Sequence, residues 1–199
     1  MVPELVTEAS KGTGASDPAA GSDAAPALTV DRVGPLGGVA SDSAFGVALV
    51  TLWQDVADAG GPVGFAAPVV RSEVAALAAG LVEELRTGRL LGLVVNQSRR
   101  LVAVALLRPG RNVRQHTGRI ELLLVDPGHV RSGLGSQLMD GLLQLARERG
   151  LDRLEVDVQD GAGLEQFFGR YGFAEWGRRP GWVRPGSREH DEVLMGVLL

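Results

Sequence analysis

A mixed α/β domain with one parallel crossover is the fold class this sequence predicts, on three observations. Apolar runs at 90–95, 101–107 and 120–125 read as strands at the centre of a sheet. Leu134, Leu138, Leu142 and Leu145 then recur at helical spacing and give the next segment a buried stripe. After Gly150, Leu154, Val156 and Val158 alternate with Arg153, Glu155 and Asp157, the two-residue period of a further strand. Strand, helix and strand in that order make a parallel crossover, and the helices that precede them complete a sheet of about six to seven strands with helices on both faces.

The other elements follow in chain order. Residues 1–26 are dominated by Ala, Gly, Ser, Asp, Thr and Pro without apolar periodicity. Such a composition buries too little surface to offset its ordering entropy, so a disordered tail is expected ahead of a domain at 27–199. A short strand is expected at 28–33. Phe45, Leu49, Leu52 and Val56 mark a helix behind Asp42 as its cap, stopped by Gly60, Gly61 and Pro62. A second helix is expected over 72–86, with Ser72 as cap, Val74, Leu77, Leu81 and Leu85 on its buried face and Gly88 at its end. The polar stretch Asn96 to Arg100 joins the first two apolar runs as a hairpin. A short helix near 163–171 leads into a strand at Phe173 to Trp176, and Val193 to Leu199 form the last strand.

Composition excludes several classes of function. With 199 residues, 45% of them hydrophobic, the chain builds one good core. A net charge of −4 leaves no footprint for general nucleic-acid binding, and no apolar run is long enough to span a bilayer. The chain has no cysteine, which removes disulfides, Cys-based metal sites and any thiol nucleophile. No basic segment followed by an apolar one opens the sequence, so a cytoplasmic location is expected.

The segment from Val125 to Ser136 reads as an anion cradle. Pro127 cannot continue a ladder, and Gly133 and Gly135 remove two side chains where a helix begins, which opens the backbone N–H groups near 131–136 to a ligand. Helix N-termini ordinarily attract Asp or Glu, yet none lies between Pro127 and Asp140, and Arg131 and His129 are present instead. A phosphate or diphosphate is the usual guest at such a terminus. A Walker loop is ruled out because Ser136 and Gln137, not Lys and Ser or Thr, follow Gly135, and Leu138 stands where a dinucleotide fingerprint has its third Gly.

Val125 and Pro127 ahead of Gly133 and Gly135, with Phe167, Phe168, Gly169, Arg170, Tyr171, Gly172 and Phe173 after the next strand, resemble the GNAT superfamily of acyl-CoA-dependent N-acyltransferases over about residues 28–199. Within it the chain looks most like the bacterial tabtoxin-resistance-like acetyltransferases. Gly61 to Phe65 with Pro68, His116, and Gly177 to Trp182 ahead of Asp191, Glu192 and Met195 carry that finer likeness. The resemblance implies a GNAT fold with a splayed strand pair and acetyl-CoA as acyl donor, without a metal. It implies that Leu123, Leu124, Val125, Val130, Arg131, Ser132, Gly133, Leu134, Gly135, Ser136 and Phe168 bind the cofactor. Val130 stands where the family has Arg or Gln, Phe168 where it has its proton-donating Tyr, and Arg119 where related enzymes carry a Glu.

The expected reaction is direct attack of the amine of a small metabolite on the thioester in a ternary complex, so proximity and orientation supply most of the acceleration. Glu121, two residues from Arg119 and read as sharing its strand face with Leu123 and Val125, is the candidate base, and Tyr171, the only tyrosine, the candidate acid. Phe65, His116 and Trp182 are candidates for the acceptor pocket, with Phe65 and Trp182 read as loop residues. Arg178, Arg179, Arg184 and Arg188 read as a basic loop able to attract an anionic group. Two alternatives remain: an acyl-CoA-binding module with weak catalysis, and an acetyltransferase of proteins or peptides. A homodimer is left open.

Overall fold

The computed structural model describes residues 28–34 and 42–199; the expected tail at 1–26 lies outside them. Seven strands form one sheet: β1 (Val30–Val33), β2 (Leu91–Gln97), β3 (Arg100–Pro109), β4 (Thr117–Val125), β5 (Arg153–Gln159), β6 (Ala174–Val183) and β7 (His190–Leu198), in the order β1-β2-β3-β4-β5-β7-β6. Only β4 and β5 run parallel, joined over α3 (Leu134–Glu148), as the sequence predicts.

Helices cover both faces. On one face α1 (Ser43–Asp58) and α2 (Arg71–Arg86) bury Phe45, Leu49, Leu52, Trp53, Val74 and Leu85 against Val94, Val104, Leu106, Leu122 and Leu124 of the sheet. On the other, α3 and α4 (Leu164–Gly169) bury the predicted stripe of Leu134, Leu138, Leu142 and Leu145, together with Phe168, against Val102, Ala105, Leu107, Val156 and Val158. A sheet sandwiched in this way reads as near-continuous apolar runs, because both pleat faces are buried.

Asp42 caps α1 as expected, its Oδ1 accepting from the Phe45 amide at 3.0 Å. Ser72 does not cap α2. That helix begins one residue earlier, behind Val70, with no side-chain cap, and its buried line is Val74, Ala78 and Leu85 while Leu77 is 56% exposed. The β2–β3 turn is shorter than the polar stretch suggests. Strand pairing continues to Gln97 and Arg100, and Ser98 and Arg99, with φ of 48° and 70°, form the two-residue connection, the left-handed pair that matches strand twist. β6 is longer than the sequence indicates and runs through Arg178, Arg179 and Trp182. Its Pro180 is tolerated because β6 is an edge strand whose register with β7 slips between Arg179 and Val183.

Two irregularities open the sheet. β4 and β5 pair only at Thr117 with Arg153, Gly118 with Leu154 and Arg119 with Glu155, and beyond these the strands diverge. In β4, Leu107 faces Ile120 but Leu106 faces Leu122, so Glu121 is an inserted bulge residue. The bulge resets the alternation of side chains. Ile120 belongs to the α3 face, Leu122 and Leu124 to the α1 face, and Leu123 and Val125 pack toward α3. Bulges commonly sit where a site needs side chains re-aimed.

Candidate active site

A cavity of about 660 Å³ occupies the gap between β4 and β5. It reaches through the sheet. Trp53, Val56 and Gly61 to Gly64 bound it on the α1 side, and Gly133, Gly135, Ser136, Leu164, Phe167 and Phe168 on the α3 side.

The α3 end is built for an anion. After a 3₁₀ turn at Pro127–His129, Arg131 takes φ of 63° and Gly133 φ of 88°, so the chain folds back on itself before the helix. Gly133 makes no side-chain cap, and the first turn of α3 holds no acid. Among the described residues the amides of Arg131, Gly133, Leu134, Gly135 and Ser136 meet no acceptor, whereas Gln137 already bonds the Gly133 carbonyl at 3.0 Å. These are the donors that a helix leaves free at its start. Ser132 is the exception: its amide (3.3 Å) and its hydroxyl (2.5 Å) both donate to the His129 carbonyl, so it turns into the loop. Arg131 and Arg170 line this end without an ion-pair partner among the described residues.

The loop is anchored by Asp126, the one buried charged residue described, 4% exposed. Its Oδ1 accepts from the Gly128 amide at 2.8 Å and lies 3.2 Å from His129 Nδ1, while Oδ2 meets Arg100 at 2.5 Å. His129 Nε2 is 3.0 Å from Gln97 Oε1, which ties the loop to β2. Burial pushes the Asp126 carboxyl up, but the Gly128 amide, His129 and Arg100 outweigh it and hold the group below its ordinary value.

The α1 end is acidic. Arg108 donates to Glu84 at 2.7 Å and to Glu121 Oε2 at 2.9 Å, contacts that raise the Arg108 pKa, Glu84 first. Arg119 lies 4.0 Å from Glu121 Oε2 and donates to Asp157 Oδ2 at 2.8 Å. Glu121 and Asp157 both line the cavity.

Of the expected cofactor residues, Leu123, Val125, Val130, Arg131, Gly133, Gly135, Ser136 and Phe168 line the cavity; Leu124 and Leu134 point into the two cores and face it with backbone at most. Glu121 lines it too, on the same face as Arg119 but, because of the bulge, opposite Leu123 and Val125. Tyr171 is not in the wall; it follows α4 and packs on the Phe167 ring, centroids 5.5 Å apart. His116 is exposed on the turn before β4, outside the cavity. Phe65 packs edge-on to Trp53 at 5.5 Å and stands behind the wall that Trp53 itself forms. Trp182 lies in β6, not in a loop, 67% exposed and under the Arg179 guanidinium, away from the cavity.

The basic loop dissolves into ion pairs: Arg178 with Glu175 at 2.8 Å, Arg179 with Glu192 at 2.5 Å, and Arg184 with Glu189. Trp53, an aromatic whose helix position argues for core over pocket in the sequence, is a wall residue, and Asp157, Val56, Leu164, Phe167 and Arg170 line the cavity without having been singled out from sequence. For Asp157 the signal was its polar place in the alternation of β5, beside a strand that would splay.

A splayed parallel strand pair with an uncapped helix terminus at its mouth makes a through-sheet cleft with a seat for an anion at one end. The acetyltransferase (GNAT) family model matches residues 50–173, and the chain belongs to that family. Solved structures agree in fold. An N-acetyltransferase from Staphylococcus aureus Mu50 superposes with a TM-score of 0.69 at 13% identity, covering 86% of this chain and 98% of its own. The ribosomal-protein-S18-alanine N-acetyltransferase of Escherichia coli does so with 0.65 at 18% identity, covering 86% and 94%. A Salmonella typhimurium protein solved with acetyl-CoA gives 0.66 at 17% identity, again covering 86% and 94%. Among the described residues no helix is long and apolar enough to cross a membrane.

Proposed function

We propose that this chain transfers the acetyl group of acetyl-CoA to the primary amine of a small metabolite, by direct attack within a ternary complex. The observation that carries the reading is the row of unpartnered amides at the head of α3, opening on a cavity that passes between β4 and β5. The amides of Arg131, Gly133, Leu134, Gly135 and Ser136 fit a diphosphate, and Arg131 and Arg170 add positive charge beside them. Bound acetyl-CoA supplies a thioester carbonyl that the acceptor nitrogen attacks, the C–N bond forming as the C–S bond breaks and thiolate departs.

The chain's own groups do the rest. Val156, Val158, Leu164 and Phe168 line the slot with apolar surface that keeps water from the reacting carbonyl. Beyond Arg119 the β5-facing edge of β4 has no strand partner, so main-chain N–H near Leu123 to Val125 is free to hold a developing oxyanion. Glu121 accepts the proton that the acceptor ammonium loses. Its Oε2 is held by Arg108, and Oε1 makes no hydrogen bond among the described residues. With Phe168 in place of a tyrosine and Tyr171 outside the wall, departure relies on the thiolate itself, a leaving group of pKa about 8.5 that tolerates expulsion without an acid. The absence of cysteine supports direct transfer over an acyl-enzyme.

The finer placement beside tabtoxin-resistance-like acetyltransferases rests on the Gly61 to Phe65 loop, part of which bounds the acceptor side of the cavity. A second reading, acetylation of peptide N-termini, is favoured by one feature: the 178–190 segment does not close the cavity. Thiol release from acetyl-CoA in the presence of small amines and of short peptides tests both. Turnover with small amines is expected; turnover with peptides alone would move the chain to the second reading, and none with either, despite CoA binding, would leave a binding module.

A further inference from the structure

The two ends of the cavity carry opposite charge. At the cofactor end stand Arg131 and Arg170 without ion-pair partners among the described residues; at the acceptor end the charged side chains in the wall are Glu121 and Asp157. The guanidiniums near that end are already committed. Glu84, Glu121, Glu155, Asp157 and Glu192 surround Arg108, Arg119 and Arg179 in one connected chain of ion pairs across the sheet, so acids outnumber bases.

Asp157 is the sharper of the two carboxylates. Its side chain is 12% exposed, and Arg119 holds Oδ2 at 2.8 Å with Arg179 at 4.0 Å. Oδ1 makes no hydrogen bond among the described residues, yet no described side-chain N or O is both buried and without a partner. Oδ1 is therefore reached by solvent, and Asp157 lines the cavity. An acidic oxygen fixed by one guanidinium and open on its other side receives an ammonium, and it repels an acceptor carboxylate brought to the same place.

We infer that Asp157 sets the charge class of the acceptor: an amine with no carboxylate next to its reacting nitrogen, its apolar part against Trp53, Val56 and Val63. This rests on the acetyl-transfer reading and narrows it. An α-amino acid would need a cation in the acceptor wall, and Arg119 is held out of that role by Asp157 itself.

The test compares matched pairs, phenethylamine with phenylalanine and tryptamine with tryptophan, by thiol release from acetyl-CoA with the full chain. The amine of each pair is expected to exceed its amino acid at least tenfold in kcat/KM, mostly through KM. Asp157→Asn removes this charge and loosens the hold on Arg119, which Glu121 and Glu155 still flank, and is expected to shrink that ratio with CoA affinity by calorimetry unchanged, while Asp157→Glu keeps it. The same compounds titrated into the protein–CoA complex make the comparison by affinity where no thiol is released, and if Asp157→Asn does not fold, the wild-type ratio and Asp157→Glu decide. A preference for the amino acids, an unchanged ratio in Asp157→Asn, or no binding of any amine to the CoA complex would overturn the inference. Failure of acetyl-CoA itself to bind would instead remove the acetyl-transfer reading beneath it.

Discussion

Glu121 and Asp126 sit five residues apart on either side of the strand end, and the structure gives them different work. Glu121 is the bulge residue, one carboxylate oxygen on Arg108 and the other open to the cavity wall. In the proposed role of proton acceptor it is needed for turnover: Glu121→Gln is expected to lower kcat/KM about 10²-fold with CoA affinity by calorimetry unchanged. An unchanged kcat/KM would leave Glu121 as a partner of Arg108 only. Asp126 anchors the loop ahead of α3 instead. Its folded-state pKa lies below the unfolded value of about 3.9, so its contribution to stability is present above that pH and is lost as pH falls through the lower, folded value. Urea unfolding should find Asp126→Ala less stable than wild type by about 1–3 kcal/mol at pH 7. The gap should close as the pH drops below 4. Neither role was fully legible in the sequence. The apolar run Ile120, Leu122, Leu123, Leu124 hides the bulge because every face of it is greasy, so no break in alternation marks where Glu121 leaves the ladder.

At the scale of elements, the head of α3 is where conformation and binding meet. Gly133 has φ of 88°, with open space where a Cβ would stand, so Gly133→Ala meets no clash and is penalised only by its backbone angle, about 1–2 kcal/mol. Gly150, past the far end of the same helix, has φ of 68° and equally open space. Both alanine variants should lose similar stability, but calorimetry should find CoA binding weakened about tenfold in Gly133→Ala and unchanged in Gly150→Ala. Equal affinities in the two would detach the loop from the cofactor. α3 itself was readable from sequence because its apolar stripe has a single period and no acid lies between Pro127 and Asp140. β6 was not. Arg178, Arg179, Pro180 and Gly181 carry no strand signal, and what extends them is pairing with β7, a tertiary contact that local propensity cannot register. The same pairing moved Trp182 from an expected pocket loop onto an exposed strand.

For the whole molecule, sheet order and helix placement divide the labour between two faces. In the proposed function α3 and α4 shape the cofactor face, α1 and the Gly61 to Gly64 turn the acceptor face, and the β4–β5 divergence joins them. The layering was legible because it follows from strand–helix–strand order and from apolar runs buried on both sides. The polarity of the cavity was not, because it depends on which arginines find acids: the four-arginine segment looked like a free basic surface, and Arg178, Arg179 and Arg184 are each neutralised locally. The proposed function requires the α3 terminus to grip the diphosphate of coenzyme A, and calorimetric titration of CoA into the purified full chain measures that directly. Saturable one-to-one binding that Gly133→Ala weakens is the predicted result; no heat of binding at millimolar CoA would contradict it.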